Sequence, residues 1–181
     1  MTSDKRTPFS GDYDEVLEIL QRESGITTSE NEKSVLATYG LGPCVAVSGW
    51  SPEYKLGFLT HFDGNTKLDE SFSELYYNLL QKVGTESTEF DVRIVGGRMN
   101  VSESLIKRIK GKLNIQPKLR MNLVEEDTVG LESFIGRDIA LDTKTGQTFS
   151  YDVNNNPNAR DIDFDSLRFK YSIPSEALFV Q

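Results

Sequence analysis

The stretch ATYGLGPCVAVSGWSPEYKLGFLTHF, residues 37–62, holds the single cysteine and the single histidine of the chain, Cys44 and His61. Two β-rich apolar runs, Val45–Ser48 and Lys55–Phe62, flank the turn residues Ser51–Tyr54. This pattern predicts a β-hairpin centred between residues 52 and 53. In that register Cys44 lies directly opposite His61, with Cβ atoms about 5 Å apart. The thiol and the imidazole are therefore predicted to be in contact.

A cysteine and a histidine at facing positions are the parts of a nucleophilic site. The thiolate is the nucleophile, and a neighbouring imidazole can take up its proton or stabilise the anion. A third group usually orients the imidazole, and Thr38 on the preceding strand is the candidate, since Gly40 and Gly42 let the intervening loop fold back. The alternative is structural: a lone cysteine among valines is most often a small buried hydrophobe, and a lone histidine is most often a surface or core residue.

Composition favours one domain of ordinary size, with 181 residues of which 37% are hydrophobic. A single cysteine cannot form an internal disulfide, which is compatible with the cytosol. No signal sequence or membrane span is expected, so a soluble, cytoplasmic protein is predicted. The net charge of −8 makes nucleic acid an unfavourable partner.

Outside the hairpin the pattern alternates irregularly between strands and helices. A short helix is expected over Asp12–Glu23, a linker over Thr27–Lys33, and helices over Asp69–Val83, ending at Gly84, and Val101–Leu113, capped by Asn100 with Glu103. Further strands are expected at Val35–Tyr39, Phe90–Val95, Lys118–Val124, Leu167–Ile173 and Glu176–Val180, with a second hairpin over Arg137–Val153 that turns at residues 144–146.

These elements predict an α+β fold: a layered, sandwich-like core of mixed and antiparallel strands covered by helices. The predicted division of the chain is an N-terminal extension with a short helix (1–33), a catalytic domain (34–153), and C-terminal strands packing on the same domain (154–181).

A basic segment interrupts this acidic chain. Residues 105–120, LIKRIKGKLNIQPKLR, contain six lysines and arginines and no acidic residue. A solvated helix face followed by an edge strand is the favoured interpretation, and a docking surface for an acidic partner is the alternative.

Three segments resemble the CheD family of chemoreceptor glutamine deamidases. The threonine, the Gly-Pro-Cys turn and the histidine of residues 37–62 match that family's pattern of threonine, Gly-Ser-Cys turn, hairpin and histidine in spacing. FDVRIVGG, residues 90–97, resembles its strand ending in paired glycines, and GRDIALDTKTGQTFSYD, residues 136–152, resembles its closing hairpin. The resemblance covers roughly residues 35–153. The family belongs to a wider group of cysteine deamidases that includes cytotoxic necrotizing factor.

The resemblance implies a protein-glutamine deamidase that converts a side-chain glutamine to glutamate and releases ammonia. Cys44 would be the nucleophile, His61 the general base and Thr38 the residue that orients it. The Cys44 N–H and the loop containing Gly40, Gly42 and Pro43 would face the oxyanion. No metal or organic cofactor is expected. The partner would be a protein with an accessible glutamine, namely a receptor or similar signalling protein, and a CheC-type phosphatase could also bind.

Pro43 departs from the family, which has serine there, and it removes a backbone N–H beside the nucleophile. Two alternatives therefore stay open: a secreted, effector-type deamidase of another protein, including a host protein, and a CheD-like binding module without catalysis.

Overall fold

The computed structural model describes residues 6–84, 87–130, 137–160 and 176–179. Within these ranges the strands are β1 (Val16–Glu18), β2 (Glu23–Thr28), β3 (Val35–Thr38), β4 (Val45–Ser51), β5 (Leu56–Phe62), β6 (Thr88–Arg98), β7 (Leu119–Gly130), β8 (Ile139–Asp142), β9 (Thr148–Ser150) and β10 (Glu176–Phe179). The helices are α1 (Leu68–Val83) and α2 (Glu103–Lys110), and short 3-10 turns occupy Tyr13–Glu15 and Val153–Asn155.

The strands form two mixed sheets. The larger sheet has the order β10-β2-β5-β4-β6-β7 and the smaller one β1-β3-β8-β9. Neighbours pair antiparallel except for β10 with β2, β6 with β7, and β1 with β3, which are parallel. The basic segment contributes α2 and the start of β7, an edge strand of the larger sheet, as the favoured interpretation of that segment predicts.

The alternation of residues in β5 sorts the molecule into three layers. Phe58 and Phe62 pack with the buried faces of α1 and α2, whereas Leu59 packs with Leu36 and Ile139 of the smaller sheet. Successive side chains of a strand point to opposite faces of its sheet. The larger sheet is thus the central layer, with helices on one face and the smaller sheet on the other. This confirms the predicted layered α+β fold.

The helices follow the predicted apolar stripes with small shifts at their ends. α1 ends at Val83, and its C-cap Gly84 has a φ of 74°, a positive value that glycine adopts more readily than other residues. α2 begins later than predicted, and its N-cap is Ser102 rather than Asn100. Asn100 has a φ of 61°. Its N–H still donates to the Glu103 carboxylate at 3.1 Å, so half of the expected capping box is present.

The helix predicted over residues 12–23 is wrong. This segment forms β1 and leads into β2, which pair with β3 and β5. The φ of 67° at Arg22 is incompatible with a right-handed helix. Glu18 is buried and accepts hydrogen bonds from Tyr151 and Asn156, partners more than 130 residues away that a local pattern does not reveal. Part of the predicted linker, Thr27–Thr28, also belongs to β2.

The remaining strand predictions are confirmed where the structure describes the chain, including the β8–β9 hairpin and β10. The expected strand Leu167–Ile173 lies outside the described residues. The division of the chain at residues 33 and 153 stays a prediction. No helix in the described ranges is long and apolar enough to cross a membrane.

The first hairpin forms, but its register differs from the predicted one by two residues. Ser51 pairs with Leu56, which leaves a four-residue loop, and Ala46 rather than Cys44 lies opposite His61. Lys55, predicted to begin the second strand, instead has a φ of 43° in the loop. A shift of two residues preserves the face of every side chain, because the side-chain period of a strand is two. Cys44 and His61 therefore remain on the same face.

Candidate active site

Thr38, Cys44 and His61 come together between the two sheets. Thr38 ends β3 of the smaller sheet, Cys44 immediately precedes β4, and His61 lies in β5 of the larger sheet. Their residues are 0%, 7% and 3% exposed, respectively. The site therefore depends on the packing of one sheet against the other.

The Thr38 hydroxyl fixes the orientation of the His61 ring. Thr38 Oγ1 donates to the carbonyl oxygen of Ile19 at 2.6 Å and lies 2.8 Å from His61 Nδ1. A hydroxyl has one proton to donate, so towards His61 it must accept. We therefore assign the proton of the neutral imidazole to Nδ1, which leaves a lone pair on Nε2.

His61 Nε2 is buried and has no hydrogen-bond partner among the described residues. Ala46 lies opposite His61, and Cys44 lies two residues before Ala46 on the same face of the sheet. Cys44 and His61 are therefore diagonal neighbours. Such diagonal neighbours have Cα atoms about 7 Å apart, which is within reach of an imidazole. The arrangement leaves an unused basic nitrogen in a buried site on the same face as the only thiol of the chain.

Burial keeps both candidate groups neutral. Burial, assisted by the Asp63 carboxylate and opposed by the Arg22 guanidinium, raises the pKa of the Cys44 thiol to about 12. Burial also lowers the pKa of His61 to about 4, against a smaller opposing effect of Asp63. At neutral pH the resting pair is therefore thiol and neutral imidazole rather than thiolate and imidazolium.

A buried ion pair, Arg22–Asp63, lies behind the site. Arg22 Nη2 and Nε are 2.6 and 2.7 Å from Asp63 Oδ2, and both side chains are less than a tenth exposed. Burial alone would raise the pKa of Asp63, but hydrogen bonds from Arg22, Gln21 and Thr66 hold it below its usual range. The Arg22 N–H also donates to the His61 carbonyl oxygen at 2.8 Å. This pair thus both anchors the histidine backbone and sets the local charge.

The loop before the nucleophile offers fewer backbone donors than its glycines suggest. The Gly40 N–H donates to Asp138 Oδ1 at 2.7 Å, and Pro43 has no N–H. Beyond its chain neighbours, no atom of the described residues would lie within 4 Å of a Cβ added at Gly42. The assignment of Gly40, Gly42 and Pro43 to an oxyanion loop stays a prediction.

The paired glycines near the end of β6 lie directly behind Cys44. Gly96 and Gly97 have φ values of 100° and 87°. A Cβ on Gly96 would come within 2.7 Å of the Cys44 carbonyl oxygen, and the Gly97 N–H donates to that same oxygen at 2.8 Å. Ser102 Oγ donates to the Pro43 carbonyl oxygen at 2.7 Å. The end of β6 and the N-cap of α2 therefore support the backbone on both sides of the nucleophile.

Of these supporting residues, the local sequence marks only the glycine pair. The glycine pair was visible as a strand ending, and its positive φ values are what glycine permits. Arg22 fell inside a predicted helix, and Ser102 inside the predicted α2. No local signal identified either of them.

Comparison with known proteins connects this chain to a family. No family model matches the chain. It is 30% identical over 129 residues to a probable chemoreceptor glutamine deamidase CheD of Methanosarcina acetivorans, covering 61% of this chain and 77% of that protein. It is 27% identical over 150 residues to a protein of the same name from Syntrophus aciditrophicus, covering 73% and 92%.

An uncharacterized protein of Acanthamoeba polyphaga mimivirus is also similar. It is 32% identical over 142 residues, which are 66% of this chain. The match spans about half of that longer relative, 52% of its length.

Proposed function

Because this chain belongs to the CheD family, we propose that it is a cysteine-dependent protein-glutamine deamidase acting on a chemoreceptor or a similar signalling protein. In this proposal Cys44 is the nucleophile, His61 the general base and Thr38 the residue that orients His61. The observation that carries the proposal is the hydrogen bond between Thr38 Oγ1 and His61 Nδ1, which leaves Nε2 as an unpartnered base in the described site. A buried histidine with only a structural role normally has both ring nitrogens hydrogen-bonded.

The neutral resting pair favours general-base attack over a preformed thiolate. As Cys44 Sγ bonds to the carboxamide carbon of the substrate glutamine, its proton passes to His61 Nε2 and the carbonyl oxygen becomes an oxyanion. When the oxyanion collapses, the C–N bond breaks and the imidazolium proton passes to the departing nitrogen, which leaves as ammonia. The product of this half-reaction is a thioester.

In the second half-reaction, water hydrolyses the thioester and His61 again takes up and returns a proton. Water gives a proton to His61 Nε2 and its oxygen adds to the thioester carbon; collapse breaks the C–S bond and the proton returns to sulfur. The substrate then carries glutamate in place of glutamine. The new negative charge changes the electrostatics of the substrate protein, which is how such a reaction acts as a switch.

Mass spectrometry of glutamine conversion tests this proposal. The purified protein is incubated with the cytoplasmic signalling domain of a bacterial chemoreceptor, with Cys44→Ala as the matched control. We expect specific glutamines to become glutamates, with ammonia released in equal amount, only in the presence of Cys44. Equal conversion with both proteins would refute the enzymatic proposal. Conversion confined to other proteins in a cell extract would refute the receptor substrate.

A second candidate is a CheD-like module that binds a receptor or a CheC-type phosphatase without turnover. Two observations favour it: burial raises the pKa of Cys44 to about 12, and Pro43 removes a backbone donor beside the thiol. This candidate predicts that Cys44→Ala binds its partner as the wild type does and that neither protein releases ammonia.

A further inference from the structure

The end of β6 and the N-cap of α2 hold both peptide groups that flank the Cys44 Cα. On one side the Cys44 carbonyl oxygen accepts from the Gly97 N–H at 2.8 Å. On the other side the Pro43 carbonyl oxygen accepts from Ser102 Oγ at 2.7 Å. The first contact is made by backbone alone, whereas the second depends on a side chain. Of these two hydrogen bonds, only the one from Ser102 can be removed by a conservative side-chain substitution.

The Ser102 hydroxyl is diverted from its usual role. Serine at an N-cap normally accepts a hydrogen bond from an N–H in the first turn of its own helix. Ser102 is the N-cap of α2 but makes no such bond. Its Oγ instead accepts from the Arg98 N–H at 2.9 Å while donating to Pro43, and the residue is only 1% exposed. The hydroxyl thus ties the end of β6 to the turn that carries the nucleophile.

The orientation of the Pro43–Cys44 peptide decides where the Cys44 N–H points. The described chain contains no cis peptide bond. In a planar trans peptide the C=O and N–H bonds point in opposite directions. Because the Pro43 carbonyl points at Ser102, the Cys44 N–H points away from Ser102. This N–H makes no hydrogen bond to any other described residue, whereas the Gly40 N–H is already bonded to Asp138.

We propose that Ser102 is a positioning residue that holds the Cys44 N–H ready to donate to the oxyanion. The role of Ser102 rests on the proposed function, since it matters for a reaction that passes through a tetrahedral oxyanion. Ser102 does not touch the substrate. It acts through the Pro43 carbonyl, and it compensates for the serine-to-proline difference in the turn by fixing the nearest remaining donor.

Two thiol reagents that differ in their chemistry test the inference without a natural substrate. Para-nitrophenyl acetate acetylates Cys44 through a tetrahedral oxyanion: the C–S bond forms, nitrophenolate leaves, and the thiol proton goes to His61 or solvent. Iodoacetamide alkylates the same sulfur by displacement of iodide at a saturated carbon, with no oxyanion. Since Cys44 is the only cysteine, each rate reports this residue alone after subtraction of the Cys44→Ala background.

We expect Ser102→Ala to slow acetylation by about tenfold or more while alkylation changes by less than about twofold, since loss of one oxyanion donor costs 10²–10³ in rate and a misplaced donor a part of that. Ser102→Thr, which retains the hydroxyl, should restore acetylation. Ser104→Ala, an exposed position on the same helix, is the matched control and should leave both rates unchanged. An unchanged acetylation rate in Ser102→Ala overturns the proposal. So does an equal loss with both reagents, because it would assign Ser102 to folding of the turn.

The results of this experiment distinguish a failure of the Ser102 proposal from a failure of the proposed deamidase function. Selective loss of acetylation in a protein that converts no glutamine would support the role of Ser102 and refute the deamidase. Full acetylation and full deamidation by Ser102→Ala would refute the role of Ser102 alone.

Discussion

Replacing Thr38 with valine removes one hydroxyl and leaves the shape of the side chain almost unchanged. That hydroxyl donates to the Ile19 carbonyl oxygen at 2.6 Å and accepts from His61 Nδ1–H at 2.8 Å. Ile19 and Thr38 are both fully buried, and His61 is only 3% exposed, so water cannot easily replace the lost partner. Thr38→Val therefore leaves one buried acceptor and one buried donor unsatisfied.

The expected loss of stability follows from these two unsatisfied groups. Each unsatisfied buried polar group costs about 1–3 kcal/mol, so the free energy of unfolding should fall by about 2–6 kcal/mol. The total for a domain of this kind is about 5–15 kcal/mol. Thr38→Ser retains the hydroxyl and should lose far less. Thr38→Val keeps the packing and loses the hydrogen bonds, whereas Thr38→Ser keeps the hydrogen bonds and loses one buried methyl group.

The tautomer of His61 gives a second, independent measurement. Because His61 is the only histidine, the imidazole ¹⁵N resonances in an NMR spectrum belong to it without further assignment. We expect the wild type to have its proton on Nδ1 and Thr38→Val to be a mixture of tautomers. The rate of Cys44 acetylation should fall by about 10²–10⁴, the range that general-base catalysis supplies.

A wild-type proton on Nε2 would refute this role of Thr38, because its hydroxyl would then not orient a base toward the site. The role would also be refuted if Thr38→Val unfolded at the same urea concentration as Thr38→Ser. Urea unfolding followed by the fluorescence of Trp50 provides that comparison.

Three further predictions concern the surroundings of the site. Burial lowers the pKa of His61 from 6.5 to about 4, so the unfolded chain binds the imidazole proton more tightly than the folded protein does. The free energy of unfolding should therefore decrease by about 3 kcal/mol as the pH falls from 6.5 to 4. In urea titrations at each pH, His61→Gln should lack this part of the pH dependence. Arg22→Met leaves the Asp63 carboxylate buried without its cation and should lower the free energy of unfolding by about 3–5 kcal/mol. The double variant Arg22→Met/Asp63→Leu should recover part of this loss. Additive losses in the double-mutant cycle would contradict the prediction. Gly96→Ala places a Cβ 2.7 Å from the Cys44 carbonyl oxygen and should slow the alkylation of Cys44. Gly40 also has a positive φ but has open space around it, so Gly40→Ala should affect only stability. Equal alkylation rates in the two variants would show that the clash at Gly96 does not disturb Cys44.

The amphipathic elements were predictable because their periodicity is local. The stripe of Phe72, Leu75 and Leu79 defines α1, and the glycine after it ends the helix. The alternation in β5 likewise sorts its side chains between two faces. Such patterns require only the geometry of a helix or a strand.

The segment around Arg22 was not predictable in this way. Its apolar residues at 16, 17, 19 and 20 fit a helix face as well as short strands. The choice was made by Glu18 and Glu23, whose carboxylates are bound by Tyr151, Asn156 and Arg160 from the other end of the described chain. Tertiary partners of this kind override local propensity.

The sequence by itself determined which chemical groups are available: one thiol, one imidazole, and a threonine at the spacing of the CheD pattern. It also determined that Cys44 and His61 share a face, since an error of two residues in the register leaves the faces unchanged. Only the tertiary structure decided the tautomer, the neutral state of the pair and the support from Ser102. These depend on the Ile19 carbonyl, on burial between two sheets, and on a turn 59 residues from Pro43 along the chain, and no local pattern encodes such contacts.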